Sequence, residues 1–137
     1  MEQRTVFLSK LIGLFAVLLS LSMLADKQSS VETVSALVHE RPLLMIVGII
    51  GLIAGLALVL MHNVWSGGLV PVIVTLIGWW VLIRSALLIL LPASEAVRLF
   101  ELLRFEQFFF AYMGVSLLVG LFLAYRGFTS SIPLFEK

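Results

Sequence analysis

Four long apolar runs, joined by short polar segments, restrict what this chain can fold into. They cover residues 6–24, 43–61, 71–91 and 108–125. A helix of about 20 apolar residues, rising about 1.5 Å per residue, crosses the roughly 30 Å hydrocarbon core of a bilayer. We therefore predict an all-α integral membrane protein in which residues 1–137 form one membrane domain with four transmembrane helices.

The composition agrees with a lipid environment and excludes several function classes. Hydrophobic residues make up 61% of the chain and charged residues 12%, so too few polar side chains exist to cover a core in water. The net charge of +1 gives no basic surface for nucleic acid. The chain has no cysteine, two histidines and no nucleotide or nucleophile motif. We predict no catalytic residues, no metal site and no cofactor.

The first apolar run has features of a signal peptide as well as those of a transmembrane helix. Arg4 and Lys10 lie at its start, and small residues lie near Ala25. We expect it to remain in the protein as a transmembrane helix.

Two of the connections, residues 30–41 and 94–106, are amphipathic. The apolar side chains of the first share one helical face: Val31, Val34, Leu37 and Val38. Those of the second do the same: Val97, Phe100 and Leu103. Ser29 with Glu32 forms a capping-box pattern before the first. We predict two interfacial helices lying in the membrane surface; the alternative is a pair of helical extensions standing in water.

The order helix, amphipathic segment, helix occurs twice, which predicts a tandem duplication. At a spacing of 65 residues, Gly13 corresponds to Gly78 and Ser20 to Ser85. The same spacing relates Gly55 to Gly120. At a spacing of 63 residues the amphipathic segments correspond: Glu32 with Glu95, Val34 with Val97, and Arg41 with Arg104. With two crossings in each half, the pseudo-twofold axis would run along the membrane normal.

The stretch "VLMHNVWSGG…VTLIGWWVLIRSALLILLP" resembles a group of small four-helix bacterial inner-membrane proteins. The shared positions are His62, Asn63, Val64, Trp65, Gly78, Trp79, Arg84 and Pro92. The resemblance covers about a third of the chain. It implies the fold and the bacterial inner membrane as the compartment, and it brings no activity.

The basic residues favour neither side of the membrane strongly. One side would carry Arg4, Lys10, Arg126 and Lys137, and the other Lys27, Arg41, Arg98 and Arg104. The first helix usually decides the orientation, and its start is the more basic end. We predict that both termini are cytoplasmic and that the amphipathic segments face the periplasm.

The segment "LVLMHNVWSGGLVP", residues 58–71, ends the second run with polar residues. A tryptophan at this position fits the interfacial aromatic belt, so we interpret His62, Asn63 and Trp65 as an interfacial turn. We expect Asn63 to cap the last helical carbonyls, and Gly67 and Gly68 to allow the reversal. The alternatives are a proton relay through His62 and partner binding through the turn.

Small residues recur at helical spacing in three of the apolar runs. Gly51 and Gly55 form a GxxxG pattern, and Gly13 and Gly120 lie among serines and alanines. Such positions allow helix backbones to approach closely. We predict that they pack helices within the four-helix unit; the alternative is a dimer interface.

Arg84 is the charged residue nearest the middle of a predicted span. A bare cation there is costly, by roughly 2.5–3.5 kcal/mol on insertion scales. We predict a buried ion pair with Glu106 or Glu40, with Glu101 also within reach. The alternatives are a site for a lipid headgroup or another anion, and transport.

Together these features predict a non-enzymatic integral membrane protein, an accessory or structural component of a membrane assembly. Its expected partners are the lipid bilayer and either a second copy of the chain or a larger membrane protein. The alternative is a small oligomeric transporter or channel with Arg84 at an anion or lipid-headgroup site.

Overall fold

The computed structural model describes residues 2–130, which form six α-helices. In chain order they are α1 (Gln3–Ala25), α2 (Lys27–His39), α3 (Arg41–Met61), α4 (Leu69–Leu90), α5 (Ala93–Leu102) and α6 (Phe109–Thr129). Helices α1, α3, α4 and α6 are long and apolar enough to cross a membrane. The described part of the chain is therefore all-helical, with four candidate membrane spans.

Proline and glycine mark several helix boundaries. Pro42 lies in the first turn of α3, where the missing backbone N–H costs no hydrogen bond. Gly67 and Gly68 have φ angles of 91° and 120°, which glycine adopts without strain, and α4 begins directly after them. Pro92 separates α4 from α5 as the N-cap of α5.

The long helices lie within about one turn of the predicted spans, whereas the amphipathic helices differ more. Helix α2 begins before the predicted capping box, because the carboxylate of Asp26 accepts a hydrogen bond from the backbone N–H of Ser29 at 3.0 Å. Asp26 is thus the N-cap, and Ser29 is already helical. Helix α5 ends at Leu102, so Glu106 lies in the turn that follows and not on the helix.

The long helices pack in the order α6, α1, α4, α3. The closest pairs are α1 with α6 and α3 with α4, and α1 also contacts α4. Helix α2 contacts α3 and α5. Each close pair therefore joins one helix from the first half of the chain to one from the second.

The best-buried apolar cluster lies where α1 meets α4. Its members are Leu8, Val70, Val74 and Leu123, surrounded by Ile12, Leu58, Ile73, Ile77 and Val119. All of them lie toward the end of the bundle that carries the α3–α4 turn. The far-end halves of α1 and α4 contribute nothing to this cluster.

Candidate functional site

The turn between α3 and α4 buries His62. This residue is the C-cap of α3 and is 2% exposed. Its Nε2 lies 3.3 Å from the carbonyl oxygen of Pro71, in the first turn of α4. His62 therefore joins the two helices and does not present its ring to the membrane surface.

Thr75 holds the same turn in place. Its hydroxyl accepts a hydrogen bond from the backbone N–H of Val64 at 3.1 Å. The hydroxyl oxygen lies 2.9 Å from the carbonyl of Val64 and 3.0 Å from that of Pro71, so its one proton has two available acceptors. The sequence interpretation missed this residue, although a single threonine in an otherwise apolar run was a visible signal.

Asn63 and Trp65 are the exposed residues of the predicted interfacial turn. The indole N–H of Trp65 donates to Oδ1 of Asn63 at 2.7 Å, and the Trp65 side chain is 57% exposed. Asn63 therefore bonds to the tryptophan. The carbonyl of Leu58, in the last turn of α3, accepts a hydrogen bond from the backbone N–H of His62 instead. The prediction that Asn63 caps the last carbonyls of α3 was therefore wrong.

Arg84 is exposed on the outer surface of α4. It lies 4.5 residues past the middle of Leu69–Leu90, or about 7 Å toward the α5 end at 1.5 Å per residue. It follows Ile77 by seven residues on the same side of α4; Ile77 packs against the buried cluster, whereas Arg84 does not. Trp80, on the same side, is 67% exposed.

The predicted ion pair of Arg84 is absent among residues 2–130. Glu40, Glu101 and Glu106 are all exposed, and none pairs with Arg84. The reason is the rotation of α4, because Gly78 and Ser85 turn toward α3 and Arg84 then points about 100° away from that contact. The prediction of a buried pair was wrong for this part of the chain.

The four glycines predicted to pack helices all lie at close helix contacts. A Cβ on Gly13 would lie 2.5 Å from the backbone nitrogen of Ala124, and one on Gly120 would lie 3.0 Å from that of Val17. A Cβ on Gly55 would lie 2.6 Å from the backbone nitrogen of Leu82. Gly51 lies directly against the hydroxyl of Ser85. The first two belong to the α1–α6 contact and the last two to the α3–α4 contact.

Hydroxyl groups accompany the glycines at these contacts. Ser20 on α1 donates to the hydroxyl of Ser116 on α6 at 2.9 Å. Ser9 donates to the carbonyl of Thr5 one turn earlier in α1, and both side chains are buried. The Ser20–Ser116 bond therefore joins α1 to α6, whereas the Ser9–Thr5 bond lies within α1.

A charged hollow lies at the opposite end of the bundle from the α3–α4 turn. It has a volume of about 430 Å³ and is lined by Lys27, Arg104, Glu106 and Gln107. It is bounded by the α1–α2 junction and by the segment that joins α5 to α6. The sequence predicts a pair of Glu106 with Arg84, whereas in the structure Glu106 lines this hollow with Lys27 and Arg104.

The polar groups that residues 2–130 offer to a ligand are a few cationic side chains, one carboxylate beside two of them, and hydroxyl groups. No cluster of three or more His, Cys, Asp or Glu side chains is arranged for a metal ion in this range. Arg84 offers a guanidinium to an anion from the exposed side of α4, and the hollow offers two cations beside one carboxylate. Comparisons with family models, with curated proteins and with solved structures give no match for the chain.

Proposed function

We propose that this protein is a non-enzymatic accessory or structural component of a membrane assembly. The observation that carries the proposal is the exposure of Arg84 within a candidate span. A lipid-facing arginine is costly in hydrocarbon, and such residues usually face a partner or a polar cavity. Since no described residue of the chain pairs with it, the counter-charge belongs to something outside residues 2–130.

A partner of a different sequence fits Arg84 better than a second copy does. No Asp or Glu lies within α1, α3, α4 or α6. A homodimer formed through these spans would therefore bring no carboxylate to the depth of Arg84. The Cα–Cβ bond of a helical residue also tilts toward the helix N-terminus, which directs Arg84 away from the nearer membrane surface and toward a partner at its own depth.

Native mass spectrometry of the protein in particles of its own membrane tests this proposal. We expect the wild type to be found in a complex heavier than the 15.2 kDa chain. Arg84→Leu should reduce the bound fraction at least tenfold, which corresponds to about 1.4 kcal/mol or more. Arg84→Lys should keep part of the binding.

Arg98→Leu is the matched control, because it removes one positive charge from the exposed face of α5, outside the spans. It should leave the complex intact. A wild-type protein found only as the bare chain, or equal binding by the Arg84→Leu and Arg98→Leu variants, would refute the accessory function.

The alternative function is a small oligomeric transporter or channel for an anion. The absence of carboxylates from the four spans supports it, since copies meeting through α4 would gather several arginines without counter-charge. An anion would then be attracted to the interface. Complexes at multiples of 15.2 kDa, together with an anion flux in liposomes that Arg84→Leu abolishes, would favour this function over the first.

We also propose that the chain arose by tandem duplication, which its helix contacts support. Gly13 lies against the backbone nitrogen of Ala124, and Gly78, 65 residues later, lies against that of Val59. Gly120 lies against the backbone nitrogen of Val17, and Gly55 lies against that of Leu82. Each contact has a counterpart made by residues that are offset by 65 positions.

The compartment and the orientation remain proposals based on the sequence. The resemblance to four-helix bacterial proteins supports the inner membrane, and the charges at the start of α1 support cytoplasmic termini. With that orientation α2 and α5 lie at the periplasmic surface as interfacial helices. A reporter enzyme that works only in the periplasm should be inactive when it is fused after residue 137. Activity of this fusion would contradict the arrangement.

A further inference from the structure

Of two corresponding helix junctions, one is closed by an arginine and the other is open. At the α4–α5 junction, Nη1 of Arg41 donates to the carbonyl oxygen of Leu91 at 2.9 Å. In the proposed duplication, Arg41 corresponds to Arg104, and Leu91 corresponds to Asp26 at the α1–α2 junction. Arg104 does not bond to Asp26; its Nη1 lies 3.5 Å from Oε1 of Gln107. The second junction therefore stays open as the charged hollow.

Lys27 is held in position beside this hollow by two aromatic rings. Its ammonium group lies 5.0 Å from the ring centroid of Phe110 and 5.9 Å from that of Phe109. Both distances fall within the range of cation–π attraction. Phe109 is fully buried at the start of α6 and Phe110 is exposed, so the lysine contacts the packed interior through one of its two rings.

Arg104 supplies the second cation from an unfavourable backbone conformation. Its φ of 46° is the only positive φ of a non-glycine residue in the described part of the chain. The position follows the end of α5, where glycine or asparagine is usual because a Cβ is strained in the left-handed region. An arginine here incurs a strain that glycine would avoid, which indicates that its guanidinium has a role.

The groups around the hollow match a particular headgroup chemistry. A guanidinium and an ammonium suit the oxygens of a phosphodiester. The nearby carboxylate of Glu106 suits a cation attached to the same ligand. Because the ends of spans α1 and α6 bound the hollow, it lies at the depth of the lipid headgroups.

We propose that this hollow binds the headgroup of a phospholipid that carries an ammonium group, such as phosphatidylethanolamine. The phosphate lies between Lys27 and Arg104, and the ammonium lies beside Glu106. The geometry of the hollow supports this site independently of Arg84 and of the accessory function, so either proposal can fail while the other stands.

Lipid retention by the full chain tests the site. The protein is placed in nanodiscs that contain equal amounts of phosphatidylethanolamine and phosphatidylglycerol, and the lipids that remain bound are counted by native mass spectrometry. We expect the wild type to retain phosphatidylethanolamine preferentially. The double change Lys27→Gln with Arg104→Gln should lower its retention at least tenfold, whereas the control Arg98→Gln should not. Glu106→Gln should remove the preference between the two lipids.

Arg104→Gly separates binding from folding. It removes the guanidinium and the backbone strain together, so the variant should melt at or above the temperature of the wild type while it retains less lipid. Unchanged lipid retention in Arg104→Gly and in the double variant would overturn the proposal. Displacement of the lipid by millimolar inorganic phosphate would also overturn it, since the site would then bind a free anion.

Discussion

Thr75 joins the α3–α4 turn to α4 through a single hydroxyl group. That group satisfies the backbone N–H of Val64 and lies within hydrogen-bond distance of two carbonyl oxygens. Thr75 is 1% exposed, so water cannot replace a bond that is lost. A buried donor or acceptor left without a partner costs about 1–3 kcal/mol.

We therefore expect Thr75→Val to lower the free energy of unfolding by about 1–3 kcal/mol. The side chains have nearly the same shape, so the loss would come from the hydroxyl. The measurement is unfolding in detergent followed by circular dichroism. Thr129→Val is the matched control, because the exposed Thr129 hydroxyl bonds only to Tyr125 in its own helix. Equal stability of the two variants would show that Thr75 does not hold the turn.

The position of Arg84 within a span could be predicted from the sequence, but the partners of its side chain could not. Its cost in hydrocarbon follows from its position in an apolar run, and that position was visible without a structure. The lack of an ion pair with any carboxylate of residues 2–130 could not be predicted, because the direction of the side chain depends on the rotation of α4. That rotation is set by the contact of Gly78 and Ser85 with α3.

At the scale of helices, the backbones approach each other closely in both pairs, α1 with α6 and α3 with α4. In lipid there is little hydrophobic force between helices, so association depends on van der Waals contact and interhelical hydrogen bonds. Gly13 and Gly120 bring α1 against α6, and Gly55 brings α3 against α4. The serine–serine bond between α1 and α6 adds to this contact.

Gly55→Ala should destabilise the protein, because the new Cβ would lie 2.6 Å from the backbone nitrogen of Leu82. Backbone atoms cannot move aside without separating the helices, and overpacking of this kind costs about 1–3 kcal/mol. Thermal unfolding in detergent measures the loss.

Gly114→Ala is the control for the same substitution within α6. Nothing lies within 4 Å of a Cβ at Gly114, and alanine has the higher helix propensity by up to about 1 kcal/mol. This variant should therefore be as stable as the wild type or more so. A Gly55→Ala protein that unfolds at the same temperature as Gly114→Ala would rule out the tight α3–α4 contact.

At the scale of the molecule, the two halves of the chain are interlocked. The close partner of α1 is α6, and the close partner of α3 is α4. Neither half therefore contains one of the close transmembrane pairs by itself. The proposed duplication would account for this arrangement, because two copies of an ancestor with two long helices would form it on dimerising, with the α1–α4 contact at the centre.

Cutting the chain within the exposed turn at Ser66 and Gly67 should yield two fragments that need each other. Fragments 1–66 and 67–137, expressed together, should purify as a 1:1 complex, since both close helix pairs form between them. Each fragment expressed alone should be lost from the membrane or should self-associate.

Gly55→Ala in the first fragment should weaken the complex, and Gly114→Ala in the second should not. Two fragments that accumulate separately and do not bind each other would contradict both the interlocked packing and the duplication proposed from it.

The sequence alone determined the class of structure and the number of long helices. Backbone groups in hydrocarbon must bond within their own segment, so a long apolar run with at most one charge has few alternatives to a helix. Four such runs predicted four long helices, whose ends lie within about one turn of those in the structure. The predicted bounds of the amphipathic helices were less accurate, because the ends of short helices depend on their caps. The pattern at Ser29 and Glu32 predicted the start of α2, whereas Asp26 is its N-cap.

The tertiary structure decided which helices pair and which way each one faces. Apolar spans have similar surfaces all round, so helix partners are selected by close approach at small residues rather than by hydropathy. That selection turned Arg84 outward, buried His62 under the start of α4, and brought Lys27 together with Arg104 and Glu106. Each of these arrangements depends on which helices meet or on the direction of a side chain. A local sequence pattern encodes neither of these two properties.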